Sequence, residues 1–197
     1  MNFHKYFAEL LGTFALTLAV SLSLTMQLPF STPLLAGLTL GLFVYTVGHL
    51  SGAYLNPAVT IGLWTIRKIG HKDALMYVIV QVLGALLALA AAQGLTGETP
   101  LLVANDTWQV GVAEALGTFF FVFGVSSVVF KKVDNAVSGL VVGASLMLGI
   151  HLTGGLSHGF LNPAVAIGVK AISWFYLLAP VMGAIVATWV YRHLYDK

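Results

Sequence analysis

Long apolar runs separated by short polar segments make up most of the chain. Six of them are close to the length of about twenty residues that an α-helix needs to cross a bilayer. Their boundaries predict spans at about 6–24, 34–50, 74–92, 110–130, 137–152 and 174–191. Two more apolar runs begin at Asn56 and Asn162 and are roughly half that long. They predict half-helices, short helices that enter the membrane and turn back.

The two short runs have almost the same sequence. Residues 51–62 read SGAYLNPAVTIG, and residues 157–168 read SHGFLNPAVAIG. Each contains an Asn-Pro-Ala triplet, formed by Asn56, Pro57 and Ala58 in the first and by Asn162, Pro163 and Ala164 in the second. Asn can cap a helix, and Pro suits the first helical position because it has no N–H to leave unpaired. Each triplet therefore predicts the N-terminus of a half-helix.

The chain is an internal duplication. The segment AELLGTF at 8–14 returns as AEALGTF at 113–119, in the same order relative to the spans as the two Asn-Pro-Ala triplets. We divide the chain into a first repeat, 1–99, and a second repeat, 100–197. Each repeat contains three spans, an odd number, so the two must insert in opposite directions. This predicts an inverted repeat whose half-helices meet near the middle of the membrane.

The meeting point of the half-helices has a predictable electrostatic character. The N-terminus of a helix carries partial positive charge and unpaired backbone N–H groups. Two such ends facing each other repel a cation, whereas a neutral molecule with an oxygen lone pair finds hydrogen-bond donors there. The arrangement therefore favours passage of neutral molecules over ions.

Composition supports a membrane protein and excludes several other classes. Hydrophobic residues make up 58% of the chain and charged residues 8%, whereas about a quarter of the residues are charged in a typical soluble domain. A net charge of +2 is too small to suggest a nucleic-acid partner. The sequence has no cysteine, which excludes disulfides, thiolate metal sites and thiol catalysis.

Basic residues lie mainly on one side of the predicted topology. With the N-terminus inside, eight of the nine fall on the cytoplasmic side: Lys5, Arg67, Lys68, Lys72, Lys131, Lys132, Arg192 and Lys197. Only Lys170 falls outside. The positive-inside rule therefore predicts a multi-pass protein with both termini in the cytoplasm. The lack of targeting extensions leads us to expect the plasma (inner) membrane.

Together, the paired Asn-Pro-Ala triplets, the segment GHLSG at 48–52 and the Ala-Glu-x-x-Gly-Thr-Phe segments resemble the aquaporin, or major intrinsic protein, family. The resemblance covers nearly the whole chain. It implies an all-α membrane protein with six transmembrane helices and two re-entrant half-helices, one pore per subunit, and a homotetramer. It also implies passive flow of water or small uncharged solutes through the bilayer, without enzymatic activity or a cofactor.

The resemblance also implies supporting roles for Glu9, Glu114 and His49. Each carboxylate would accept backbone N–H bonds and steady a half-helix loop, and we prefer this to a proton relay because passive flow needs no titrating group. His49 is expected to order the loop before the first triplet. It has no partner histidine or carboxylate at ligand spacing, so we predict no metal site.

The selectivity filter is expected at a second constriction toward the outer side. In water-selective members it resembles an aromatic residue, a histidine, a small residue and an arginine. Carried over by position, these fall on Ala36, Ile150, Gly159 and Val165. If the loop at 154–159 were one residue shorter than in the family, His151 would replace Ile150. His151 and His158 are candidate residues of the pore mouth.

This filter is expected to be wide and apolar. Ala36 stands in place of the bulky aromatic residue, and Val165 stands in place of the arginine, the strongest hydrogen-bond donor. Similar combinations in plant nodulin-type and vacuolar members suggest passage of glycerol, urea, ammonia or a neutral metalloid acid. Two alternatives remain open. The chain could be a closed or structural membrane protein with this fold, or, with less support, a secondary transporter.

Overall fold

A computed structural model describes residues 3–26, 28–99, 102 and 106–195. The described part consists of helices and connecting loops. The helices are α1 Phe3–Thr25, α2 Thr32–Ser51, α3 Pro57–Thr65, α4 His71–Thr96, α5 Trp108–Val129, α6 Ser138–Thr153, α7 Pro163–Gly168 and α8 Trp174–Tyr195. A 3-10 turn, Asn135–Val137, precedes α6. Lys197 and the proposed boundary between the repeats at 99–100 fall at least partly outside the described residues.

The six predicted spans and two half-helices are confirmed. Within the described residues, six helical segments are long and apolar enough to cross a membrane, while α3 and α7 have only 9 and 6 residues. The second half-helix, α7, ends at Gly168. Lys170 adopts a positive φ of 60°, and the following N–H turns back to the carbonyl of Ala166. This left-handed residue closes the helix early.

The packing of the helices follows the duplication. In the first repeat α1 packs against α4 and α2, and in the second α5 packs against α8 and α6. The repeats are joined through α2 and α6, and each half-helix packs against the last span of the other repeat, α3 on α8 and α7 on α4. The half-helices are therefore held from both repeats at once.

Glycines permit the close contact between α2 and α6. A Cβ atom built on Gly37 would lie 2.7 Å from the carbonyl oxygen of Gly143, and one built on Gly143 would meet the carbonyl oxygen of Gly37. Gly41 and Gly139 make the same kind of contact one turn away. Small residues at a four-residue spacing let two membrane helices touch along their backbones.

Many large apolar side chains face outward, and many small or polar ones face the interior. On α4, Leu83, Leu86 and Leu87 are exposed, whereas Ala85 and Ala88 are fully buried. Lipid solvates large apolar groups as well as another helix does, so helix contacts in a membrane are made by small residues. The outer surface of the bundle is therefore the one that a bilayer would cover.

Candidate functional site

The N-termini of α3 and α7 meet inside the bundle. Asn56 caps α3, because its Oδ1 accepts a hydrogen bond from the backbone N–H of Ala58 at 2.8 Å. Asn162 caps α7 in the same way, with Ala164 as donor at 3.0 Å. A proline occupies the start of each half-helix, where its missing N–H costs nothing. The local sequence thus begins each helix where the two triplets predicted it.

A pair of reciprocal hydrogen bonds joins the half-helices. Nδ2 of Asn56 donates to the carbonyl oxygen of Leu161 at 2.8 Å, and Nδ2 of Asn162 donates to the carbonyl oxygen of Leu55 at 2.9 Å. Both leucines have positive φ, 51° and 53°, which turns their carbonyl groups toward the opposite repeat. Each amide NH₂ has a second hydrogen, so each Asn keeps one donor for a molecule in the pore.

Glu9 anchors the loop before α3. It is fully buried, and its Oε1 accepts from the hydroxyl of Ser51 at 2.7 Å and from the N–H of Tyr54 at 2.9 Å. Its Oε2 accepts from the N–H of Leu55 at 2.7 Å and from Nε2 of Gln81 at 2.8 Å. Four donors surround one carboxylate, which matches its acceptor sites. The carboxylate therefore holds the loop in its left-handed conformation.

Glu114 makes the equivalent contacts in the second repeat. Its Oε1 accepts from the hydroxyl of Ser157 at 2.8 Å and from the N–H of Phe160 at 3.0 Å. Its Oε2 accepts from the N–H of Leu161 at 2.8 Å. Neither serine nor Gln81 was predicted from the sequence. Ser51 and Ser157 were detectable, since they stand at matching positions of the two repeats.

The structure does not support a loop-ordering role for His49. This side chain is exposed on the last turn of α2, and among the described residues it makes no hydrogen bond to the loop. Ser51, two residues later, bonds to both Glu9 and the N–H of Ala53. A helix turns about 100° per residue, so His49 and Ser51 point in different directions. Within the described chain there is no cluster of three metal-ligating side chains.

A cavity of about 350 Å³, here called the wide cavity, extends from the two asparagines to the side of the bundle where α1 ends. Its lining is mostly apolar. Besides both asparagines it contains all four proposed filter positions, and also the two candidate mouth residues: Ala36, Ile150, Gly159, Val165, His151 and His158. The structure therefore brings together residues of α2, α6, α7 and the loop before α7.

Ile150 and His151 are the alternatives for the fifth-span position of the proposed filter, and His158 is a candidate residue of the pore mouth. A Cβ atom built on Gly159 would lie 3.2 Å from Cγ2 of Ile150, so these two proposed filter residues are in direct contact. His151 is exposed, and its Nδ1 lies 2.9 Å from the carbonyl oxygen of Met147. His158 stacks on Tyr176 with ring centroids 5.9 Å apart. Ile150 therefore packs against Gly159, and both Ile150 and His151 line the wide cavity.

A second, much smaller cavity of about 30 Å³, the narrow cavity, lies toward the opposite side of the bundle. The two cavities share three lining residues, Leu40, Tyr54 and Phe121. Along α2 the wide cavity touches Ala36 and Leu40, and the narrow one touches Leu40 and Val44. These positions are successive turns of one helix, so the cavities are stacked along the helix axis.

Six spans around two opposed half-helices, with cavities stacked on either side of their meeting point, define a membrane protein of the channel class. The model of the family described as Major intrinsic protein matches residues 1–191. The chain belongs to the major intrinsic protein family.

Curated relatives agree with this assignment. The chain is 32% identical to aquaporin NIP1-1 of Zea mays, over 95% of this chain and 73% of that protein. It is 35% identical to glycerol uptake facilitator protein-like 6 of Lactiplantibacillus plantarum, over 95% and 96%. Nodulin-26 of Glycine max is also 35% identical, but the match spans 62% of that protein's length.

A solved structure shows the same fold. The aquaglyceroporin from Plasmodium falciparum superposes with a TM-score of 0.77 over 100% of this chain and 96% of that chain, at 24% sequence identity. At this level of identity the likeness describes the architecture of the chain.

Proposed function

We propose that the chain is a passive channel for water and for small neutral solutes such as glycerol, urea and ammonia, with a wide apolar selectivity filter. The observation that carries this proposal is the wide cavity, in which Ala36, Ile150, Gly159 and Val165 meet in front of the paired asparagines. No charged side chain is among its lining residues in the described part of the chain. The proposal also agrees with the names of the relatives, which include aquaporins and a glycerol uptake facilitator.

An apolar filter treats water and organic solutes differently. A water molecule that crosses it singly gives up hydrogen bonds, and an unpaired polar group costs roughly 2–7 kcal/mol in apolar surroundings. A polyol can instead place its carbon atoms against Ala36 and Val165 while its hydroxyl groups reach the free amide hydrogens of Asn56 and Asn162. Water would cross in a broader column that solvates itself. The positive helix ends at the two asparagines would repel cations.

A closed or structural role is the second candidate, and the small volume of the narrow cavity is the observation that favours it. A secondary transporter has less support. Glu9 and Glu114 are fully buried and accept hydrogen bonds from the half-helix loops. Neither is among the residues that line the two cavities. A coupling ion would need a carboxylate that it can reach.

We place the channel in the plasma membrane as a homotetramer with both termini in the cytoplasm. Each subunit contains two repeats, 1–99 and 100–197. The partners are water, neutral solutes and lipid. No enzymatic activity, cofactor or nucleic-acid partner is part of the proposal.

Stopped-flow light scattering of purified protein in liposomes tests the function. An impermeant osmolyte should cause fast shrinkage, and glycerol, urea or ammonia gradients should cause solute-driven reswelling. The double variant Ala36→Phe with Val165→Arg should lower glycerol flux about tenfold, as a barrier raised by about 1.4 kcal/mol would. Leu38→Phe, on the lipid-facing side of α2, is the matched control and should leave flux unchanged.

Each other outcome has a definite meaning. Fast water flow with exclusion of all three solutes would contradict the proposed filter. Flux at the level of empty liposomes for every solute would favour the closed or structural candidate. Accumulation of a solute against its gradient when an ion gradient is applied would favour the transporter.

A further inference from the structure

The narrow cavity is built from the repeat equivalents of the proposed filter. Asn162 follows Asn56 by 106 residues, and the same offset carries filter positions of one repeat onto positions of the other. Applied to all four, it relates Ala36 to Val142, Ile150 to Val44, Gly159 to Ala53 and Val165 to Val59. All four equivalents line the narrow cavity. The inverted repeat therefore places a second set of four residues on the other side of the asparagines.

The contact between α2 and α6 supports this equivalence. Gly37 and Gly143 are separated by the same offset, and each contacts the other's carbonyl oxygen at the crossing of the two helices. When two residues related by a two-fold axis lie close to that axis, each contacts the other in the same way. The offset thus describes a relation in space as well as in sequence.

The second set is bulkier than the first. Val142 replaces the smaller Ala36, and Ala53 replaces Gly159, which has no side chain. Val59 matches Val165, and only Val44 is smaller than its equivalent, Ile150. The volumes differ in the same direction, about 30 Å³ against about 350 Å³. Since one water needs roughly 10–15 Å³ of such volume, the narrow cavity has room for only about two waters.

Three side chains separate the two cavities, and they also restrict the path. Leu40 and Phe121 are almost fully buried. Tyr54 is held in place from several directions: its N–H donates to Glu9, its ring lies 6.1 Å from that of Tyr77, and a Cβ atom built on Gly52 would lie 2.5 Å from its Cζ. This neck carries one polar side-chain group, the phenol of Tyr54.

We propose that the second set, Val44, Ala53, Val59 and Val142, together with the neck formed by Leu40, Tyr54 and Phe121, is the size-selective constriction of this channel. The first set at the wide cavity then admits a broader range of neutral solutes than the channel passes. This inference rests on the proposed channel function. It makes Val142 and Tyr54 specificity-determining residues.

Mirror substitutions test the assignment. Val142→Ala gives the second set the residue of the first, and Ala36→Val does the reverse. Val142→Ala should raise the glycerol flux of the channel about tenfold relative to its water flux, because removing one or two methyl-sized groups from a tight apolar site is worth about 10-fold or more in discrimination. Ala36→Val should change the ratio of glycerol flux to water flux less than Val142→Ala does, since the wide cavity has room for the added methyl groups. Val186→Ala, an exposed valine of α8, is the matched control.

A substitution in the opposite direction separates selectivity from folding. Val142→Leu should lower glycerol flux more than water flux. The melting temperature and the size-exclusion elution volume in detergent are measured for every variant as controls for folding. A damaged fold would lower both fluxes together. Tyr54→Phe keeps the bulk of the neck and removes its hydroxyl, so it should retain the solute size limit.

The outcomes also distinguish this inference from the channel function itself. Changed glycerol selectivity in Ala36→Val with none in the two Val142 variants would overturn the inference and leave the channel intact. Conduction by Val142→Ala when the wild type is inert would support the constriction and contradict an open wild-type channel. Flux at background in the wild type and in every variant would overturn both.

Discussion

At the scale of single residues, the two buried glutamates hold the loops that lead into the half-helices. Leu55 and Leu161 have positive φ, a conformation that is uncommon for residues other than glycine and unfavourable for their backbone. The N–H groups of these leucines donate to Glu9 and Glu114. A hydrogen bond contributes about 0.5–1.5 kcal/mol net, so the bonds to the two carboxyl groups help to compensate for the strain of the loops.

Glu114→Gln tests this anchoring role. The variant keeps the size of the side chain but replaces one acceptor oxygen by an NH₂ group, which must face the N–H of Phe160 or Leu161. A buried donor left without an acceptor costs about 1–3 kcal/mol, so the melting temperature in detergent should fall. Glu98→Gln, at an exposed position, is the control. Equal melting temperatures for the two variants would contradict an anchoring role.

At the scale of secondary-structure elements, the crossing of α2 and α6 determines how close the two repeats approach. The proposed filter positions Ala36 and Ile150 lie on these same helices, so the spacing of the helices contributes to the width of the wide cavity. Gly37 and Gly143 bring the backbones into direct contact. A longer side chain at either glycine has no free space to occupy.

Gly143→Ala should destabilise the protein, because the added Cβ meets the backbone of α2 rather than a flexible side chain. Overpacking of this kind costs about 1–3 kcal/mol, and a thermal melt in detergent measures it. Gly94→Ala is a matched substitution inside α4, where a Cβ has nothing within 4 Å. It should be neutral or stabilising by up to about 1 kcal/mol, since Ala is the better helix former. The same loss of stability in both variants would contradict a close-contact role for Gly143.

At the scale of the whole molecule, the inverted repeat places the half-helices between the two repeats rather than within one. Packing of α3 on α8 and of α7 on α4 means that neither half-helix completes its contacts without the other repeat. The distribution of basic residues predicts which end of this nearly symmetric assembly faces the cytoplasm.

Single-cysteine labelling tests that orientation. The chain has no cysteine, so Glu98→Cys and Lys132→Cys each introduce the single thiol, at exposed positions on either side of the span α5. In intact cells a membrane-impermeant maleimide should label position 98, and it should label position 132 only after permeabilisation. The reverse pattern would contradict the proposed cytoplasmic location of the termini.

Much of the architecture was predictable from the sequence because it depends on local properties. Segment length separates spans from half-helices, since a bilayer has a fixed thickness. The Asn side chain caps a helix and the following Pro has no N–H to leave unpaired, so the starts of α3 and α7 were predicted correctly. The duplication and the odd number of spans in each half then led to the inverted arrangement.

Other features depend on contacts between residues far apart in the chain, and only the tertiary structure determined them. The bonds of Asn56 and Asn162 to the opposite repeat require two leucine carbonyl groups turned by positive φ values, which no local pattern indicates. His49 stands next to the loop in sequence, but its side chain is exposed and makes no hydrogen bond to the loop among the described residues. The difference between the wide and narrow cavities arises because the path through the bundle is bounded by side chains from several helices, and its width depends on how those helices pack.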